Sequence, residues 1–193
     1  MKKTIITALL AIITISLASC SSDEPQWADP EAHEKTEQLR EQYTPFIVGT
    51  WHFENIGERQ RVFEQLTFNA DGTLKGLRKW QMRQLVTIEG QEQYTDWENL
   101  SQPNGLFTGT WSLTWERLWV GDETSGIRNE KGEGENRLCL YGEYDETDIV
   151  TYLPYSIRAL FDYADATTLR FAGYWQDGNG WTTYQRGEAE PSF

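Results

Sequence analysis

Hydrophobic positions change their spacing twice along this chain, and each change marks a new kind of segment. Residues 4–18 form an almost unbroken apolar run (Ile5, Ile6, Leu9, Leu10, Ile12, Ile13, Ile15, Leu17). Residues 30–43 are good helix formers, yet only Ala32, Leu39 and Tyr43 among them are apolar, the last two at i, i+4. Asp29 is placed as an N-cap, Pro30 at the first helical position and Pro45 as a stop, so a short helix is predicted there, lying over one end of a domain or serving as a stalk. From Phe46 onward the period is two. Phe46-Ile47-Val48-Gly49-Thr50-Trp51-His52-Phe53-Glu54 is β-branched and aromatic, which suits a half-buried strand.

The alternation continues to the end of the chain. Val62, Leu66 and Phe68 share one side of a strand over 61–69, and Asn69-Ala70-Asp71-Gly72 forms the hairpin turn after it. Leu74, Trp80, Met82, Val86 and Ile88 share one parity of a long strand over 73–88. Residues 89–105 are polar and read as a long connection. Residues 106–122 read as a hairpin turning near Trp115-Glu116, and Gly-rich, acidic 121–136 as a mobile loop. Strands at 137–144, 155–162, 167–176 and 180–186, the last two joined by Asp177-Gly178-Asn179-Gly180, complete about nine. No helical stretch interrupts them. The predicted fold is therefore all-β, an up-and-down antiparallel barrel of about eight to nine strands preceded by a short helix, since closure removes exposed edges.

The first apolar run is too short to span a bilayer, which takes about 20 residues. With Lys2 and Lys3 ahead of it, it fits a secretory signal. Leu17-Ala18-Ser19-Cys20 resembles the lipobox of bacterial lipoproteins. The resemblance implies cleavage before Cys20 and acylation of that residue, so that membrane lipid is one partner. Ser21-Ser22-Asp23-Glu24, with no Asp directly after Cys20, is similar to the surface-export signal of some Gram-negative anaerobes; a plain acidic tether is the other reading. The expected organisation is a signal peptide over 1–19, a lipidated tether with its helix over 20–44, the barrel over 45–187 and a tail over 188–193. The expected location is the outer membrane, facing the cell exterior.

Without Lys2 and Lys3 the chain carries 30 acidic against 15 basic residues, a formal charge near −15, which argues against nucleic acid as a partner. If Cys20 is acylated, Cys139 stands alone and no internal disulfide is available. The core must then come from nine Trp, nine Tyr and eight Phe, each burying a large area.

Gly49-x-Trp51 after a short helix, then Leu66-Thr67-Phe68-Asn69-Ala70-Asp71-Gly72-Thr73, then Gly109-Thr110-Trp111, then Tyr155-Ser156-Ile157, resembles the lipocalin-like domains of bacterial lipoproteins over residues 46–187. The resemblance implies that Trp51 closes the barrel floor with Arg186 packed across its ring. It also implies non-enzymatic binding of one small apolar or amphipathic ligand, with Trp51, Phe68, Trp80, Trp111, Trp115, Trp119 and Tyr184 as candidate lining residues. An eight-stranded barrel either fills with its own side chains or holds one small molecule. Trp51, Phe53, Phe68, Trp80, Met82, Trp111, Leu113, Leu169, Phe171 and Tyr184 are bulky inward candidates, so a ligand is expected to be small or to sit near the open end. Burying an unpaired charge is costly, so it is expected to be neutral, and free fatty acids are expected to bind poorly.

A different function uses the surface. Trp119 has the opposite parity to Leu118 and Val120, and Trp115 falls in the predicted turn, so both are placed to stack on a glycan or a partner. Other chemistry finds no foothold. His33 and His52 are the only histidines and lack companions for a zinc site. Asp177, Asn179 and Asp145-Glu146-Thr147-Asp148 fail the spacing of a calcium loop. Acidic residues abound, but nothing singles out a pair for glycoside chemistry. There is no Gly-x-Ser-x-Gly, phosphate-cradling loop or Cys/His nucleophile arrangement. Neither a cofactor nor an enzymatic activity is expected.

Overall fold

The computed structural model describes residues 29–99, 104–121, 128–145, 154–176 and 178–193, with the backbone alone over 118–121 and 128–133. The expected signal peptide, Cys20 and the start of the tether lie outside the described residues, as do Glu146, Thr147, Asp148 and Asp177 of the acidic turns. A helix, α1 (Pro30–Ile47), leads into β1 (Gly49–Ile56), β2 (Gln60–Phe68), β3 (Thr73–Met82), β4 (Leu85–Ile88), β5 (Gln91–Tyr94), β6 (Glu98–Asn99), β7 (Gly105–Gly121), β8 (Arg128–Tyr144), β9 (Tyr155–Ala164), β10 (Thr168–Phe171) and β11 (Thr182–Arg186). In the order β1-β2-β3-β7-β8-β9-β10-β11, each strand pairs antiparallel with the next, and β11 pairs back onto β1. The result is a closed, eight-stranded up-and-down barrel. β6 adds to the end of β3, and β4–β5 form a separate hairpin turning at Glu89 and Gly90.

Register decides which side chains enter the lumen. Trp51 faces Leu66 on one side and Arg186 on the other; Leu113 faces Leu138, and Trp111 faces Leu140. All but Arg186 are buried, together with Phe68, Leu74, Ala159, Phe161 and Leu169. Leu39 and Ile47 of α1 join this cluster, so α1 closes one end of the barrel. Gly76 faces the lumen from β3. A Cβ there would lie 2.0 Å from the Phe107 ring, so only glycine lets Phe107 reach across and stack on Tyr155, with centroids 4.2 Å apart.

Several sequence-based boundaries are corrected. The helix does not stop at Pro45 but runs on to Ile47, because Ile47 is fully buried and Val48 N still donates to Thr44 O at 3.0 Å. The strand expected over 73–88 ends at Met82, and Ile88 is 52 % exposed in the outlying hairpin, so Val86 and Ile88 do not continue the lumen face. The connection over 89–105 contains β5 and β6. The hairpin expected over 106–122 is one continuous strand. Trp115-Glu116 contains no residue suited to positive φ, and Trp115 keeps the parity of Trp111 and Leu113. Of the loop expected over 121–136, residues 128–136 belong to β8, while 122–127 lie outside the described residues. The strand expected over 167–176 ends at Phe171.

The C-terminal tail runs along the outer face of β1 and β2. Ala189 N donates to Gln65 Oε1 at 2.9 Å, Ser192 N and Oγ donate to Glu54 at 2.8 Å each, and Phe193 lies under Arg61. Phe63 points outward there and is nevertheless 1 % exposed.

Candidate ligand site in the barrel

The floor is built where α1 meets β1. A helix leaves its last carbonyls without intrahelical partners and carries partial negative charge at that end. Here the barrel supplies the donors. Trp51 Nε1 donates to Ile47 O at 2.7 Å, and Arg186 Nη1 and Nη2 donate to Phe46 O and Val48 O, each at 2.9 Å. The Arg186 guanidinium sits 4.9 Å from the Trp51 ring centroid. Gly49, at φ 137°, fits this corner because a Cβ would come 2.9 Å from Arg186 Nη2. At the same end, where Phe68 pairs with Gly49, Phe68 and Trp111 pack edge to face at 5.4 Å, and Trp111 Nε1 donates to Asn69 O at 2.9 Å. These polar groups are paired, and the lower half of the lumen is apolar and filled by its own side chains.

The upper half is built differently. Glu64 on β2 and Arg78 on β3 are direct register partners, and both point inward. Glu64 is 3 % exposed and Arg78 1 %, with Arg78 Nε 3.5 Å from Glu64 Oε2. The other carboxylate oxygen accepts from the Tyr155 hydroxyl at 3.0 Å and from the Tyr184 hydroxyl. Tyr184 stacks on Phe171 at 4.9 Å. The guanidinium is surrounded by rings: Tyr174 at 4.3 Å, Trp80 at 4.8 Å and Tyr155 at 6.0 Å. Tyr174, 46 % exposed, covers it from the solvent side, tied by its hydroxyl to Ser156 O at 2.8 Å. Trp175 meets Trp80 edge to face at 6.2 Å.

Electrostatics follow from this burial. Burial opposes the Arg78 charge, but Glu64 and the surrounding tyrosine hydroxyls outweigh it and hold its pKa above the ordinary arginine value. Burial, reinforced by the Glu64 carboxylate, pushes the Tyr155 and Tyr184 hydroxyls well above the usual tyrosine range. Tyr144 is pushed up by burial and by Glu64, against the pull of Arg78. Three buried polar atoms around this cluster have no hydrogen-bond partner: Arg78 Nε, Trp80 Nε1 and the Tyr144 hydroxyl. Buried polar groups are almost always paired in folded proteins, so such a group calls for an explanation.

The candidate lining residues separate accordingly. Trp51, Phe68 and Trp111 fill the floor half, whereas Trp80 and Tyr184 belong to the upper cluster. Trp115 is not in a turn and is not a free surface ring. It lies mid-strand on Gly134, with Lys35 Nζ of α1 4.2 Å over it and its backbone N bonded to Thr36 Oγ1 at 3.0 Å. Trp119 of β7 pairs with Glu130 of β8, and its side chain is outside the described ones. Sequence reasoning missed Glu64, Arg78, Tyr144, Tyr155 and Tyr174. A signal was present: Glu64 shares the parity of Val62, Leu66 and Phe68, and Arg78 that of Leu74, Trp80 and Met82. A charged residue therefore stood on the apolar face of each of two adjacent strands.

His52 Nδ1 contacts Gly187 O at 3.0 Å. Among the described residues no group of three His, Cys, Asp or Glu is placed to hold a metal, and no helix is long and apolar enough to cross a membrane. Compared with family models, curated proteins and solved structures, the chain gives no match.

Proposed function

We propose that this protein is an outer-membrane lipoprotein of lipocalin-like type. Cys20 carries the acyl anchor, the barrel faces the cell exterior, and the upper lumen binds one small, neutral, apolar or amphipathic molecule without transforming it. The carrying observation is the contrast within one lumen. The floor half is apolar and its polar groups are paired, whereas the upper half gathers a buried ion pair, Arg78 with Glu64, and donors at Trp80 and Tyr144 that have no hydrogen-bond acceptor. Buried polar groups are almost always paired, and a bound molecule with an acceptor oxygen would pair these. The formal charge near −15 without Lys2 and Lys3 disfavours anionic ligands. The alternative, a glycan- or partner-binding surface of Trp115 and Trp119, loses support because Trp115 is covered by α1 and Lys35.

Titration with a neutral apolar probe tests the reading through tryptophan emission, since Trp80 and Trp175 sit at the site. Saturable quenching at micromolar probe is expected, with weak binding of long-chain fatty acids. Tight, saturable fatty-acid binding, or no quenching by any probe, would overturn it. The anchor is tested in the same cells: labelled fatty acid is expected on the wild-type chain and not on Cys20→Ala.

A further inference from the structure

The upper lumen also carries information about what its ligand must contain. Arg78 Nε has only its 3.5 Å contact with Glu64 Oε2, Trp80 Nε1 has no hydrogen-bond partner, and the Tyr144 hydroxyl lies beside Arg78, which can only donate to it and so leaves the hydroxyl proton free to donate. Arg78 is 1 % exposed and Tyr144 8 %, so neither hydroxyl nor guanidinium is turned to solvent. The groups gather around one guanidinium. Trp80 lies 4.8 Å from it, and Tyr144 adjoins through Phe107, whose ring is 5.3 Å from Tyr144 and stacks on Tyr155. The set is rich in donors and short of acceptors.

Its charge, by contrast, is already balanced. Glu64 faces Arg78 in register, and its other oxygen takes two tyrosine hydroxyls. A ligand carboxylate would bring a second negative charge beside Glu64 in a low-dielectric interior, where an unmatched charge is expensive. A hydrocarbon would leave the donors as they are. The class that fits both constraints is a neutral molecule with an exposed acceptor oxygen.

On the reading of the barrel as a lumen binder, we infer that the upper lumen selects neutral carbonyl compounds, namely ketones, esters or amides. Their oxygen accepts from Tyr144 and Trp80 beside Arg78, while their apolar part lies against Phe107 and Tyr174. Tyr174 is the ring that moves to admit them, because it alone of the cluster is largely exposed and hangs on a single side-chain bond to Ser156. Glu64 acts as a positioning residue that holds and neutralises Arg78.

The test uses the full-length chain in lipid nanodiscs, with protein-free nanodiscs as the partition control. Three probes of equal chain length are compared: a medium-chain methyl ketone, the alkane and the carboxylate. The ketone is expected to bind about tenfold more tightly than the alkane, the size of one good hydrogen bond, and the carboxylate least well. Tyr144→Phe removes only the hydroxyl beside Arg78, and its melting is measured alongside so that a lost ketone preference is read in a folded variant. That variant and Trp80→Phe are expected to lose most of the ketone preference, read as the ratio of ketone to alkane affinity within each protein. Equal binding of ketone and alkane, strongest binding of the carboxylate, or an undiminished preference in both variants would overturn the carbonyl assignment while leaving lumen binding in place. Failure of every probe would overturn lumen binding itself, and the assignment with it.

Discussion

At the α1 end of the barrel Arg186 lies over Trp51; at the other end Arg78 lies over Trp80. Both are arginines on indoles, but their surroundings differ. Arg186 is exposed, and its Nη groups donate to the helix-end carbonyls of Phe46 and Val48. Arg78 is 1 % exposed, faces a buried carboxylate and keeps Nε without a hydrogen bond. The first arginine finishes a structure: it caps a helix, covers a ring and leaves its charge in water. The second maintains a polar pocket inside an otherwise apolar lumen. Solvent keeps the desolvation cost of Arg186 small, whereas Arg78 is held only by its buried partners.

The comparison is broken most sharply by removing one buried partner. Glu64→Ala leaves Arg78 as an uncompensated interior cation and is expected to cost about 3–5 kcal/mol in urea unfolding. Replacing the pair together, Glu64→Leu with Arg78→Met, is expected to restore part of that loss, since it removes the uncompensated cation but leaves the Tyr155 and Tyr184 hydroxyls without their acceptor. A Glu64→Ala loss below about 1 kcal/mol, the range of exposed pairs, would show that the upper pair behaves like a surface bridge.

At the floor, Trp51→Ala removes a fully buried ring and is expected to cost about 3–5 kcal/mol. Arg186→Ala is expected to cost less, about 0.5–2 kcal/mol, because the cation–ring contact and the carbonyl bonds it loses are solvent-accessible. The double variant is expected to lose less than the sum, since the residues share one contact. Strict additivity would mean that ring and cation act separately.

The smallest effect appears only in alkali. Tyr144, Tyr155 and Tyr184 have folded pKa values raised above the ordinary 10.0 by burial first. A group raised in the folded state contributes stability fully below the unfolded value, and that contribution is lost as pH climbs through the window above it. Phenolate absorbance is therefore expected to rise in two stages: exposed rings first, and these three only as the barrel unfolds. All nine tyrosines titrating together near pH 10 with the circular dichroism of the fold intact would contradict the buried cluster.

Much of this architecture was readable in the residues, and the exceptions share a cause. The Asn69-Ala70-Asp71-Gly72 turn is local chemistry: Gly72 takes φ 83°, and Asp71 Oδ1 accepts from Thr73 N at 2.9 Å. Trp115 lies within a continuous strand rather than in a turn because Gly134 on the facing strand makes room for its ring, and that partner is 19 residues further along the chain. The helix passed Pro45 because the carbonyls of its last turn find donors in Trp51 and Arg186, distant in sequence.

Alternation of apolar residues, turn chemistry and the absence of helical spacing were enough to determine a closed antiparallel barrel behind one helix. Strand period and turn preference act between neighbours in the chain, so a sequence displays them directly. The division of the lumen into a saturated floor and an unsatisfied upper half was decided only by tertiary structure. Glu64 meets Arg78 through the register of β2 on β3, and Tyr155 and Tyr184 reach the same carboxylate from 91 and 120 residues away. Such a cluster exists only once the barrel closes, because closure is what brings those strands around one carboxylate.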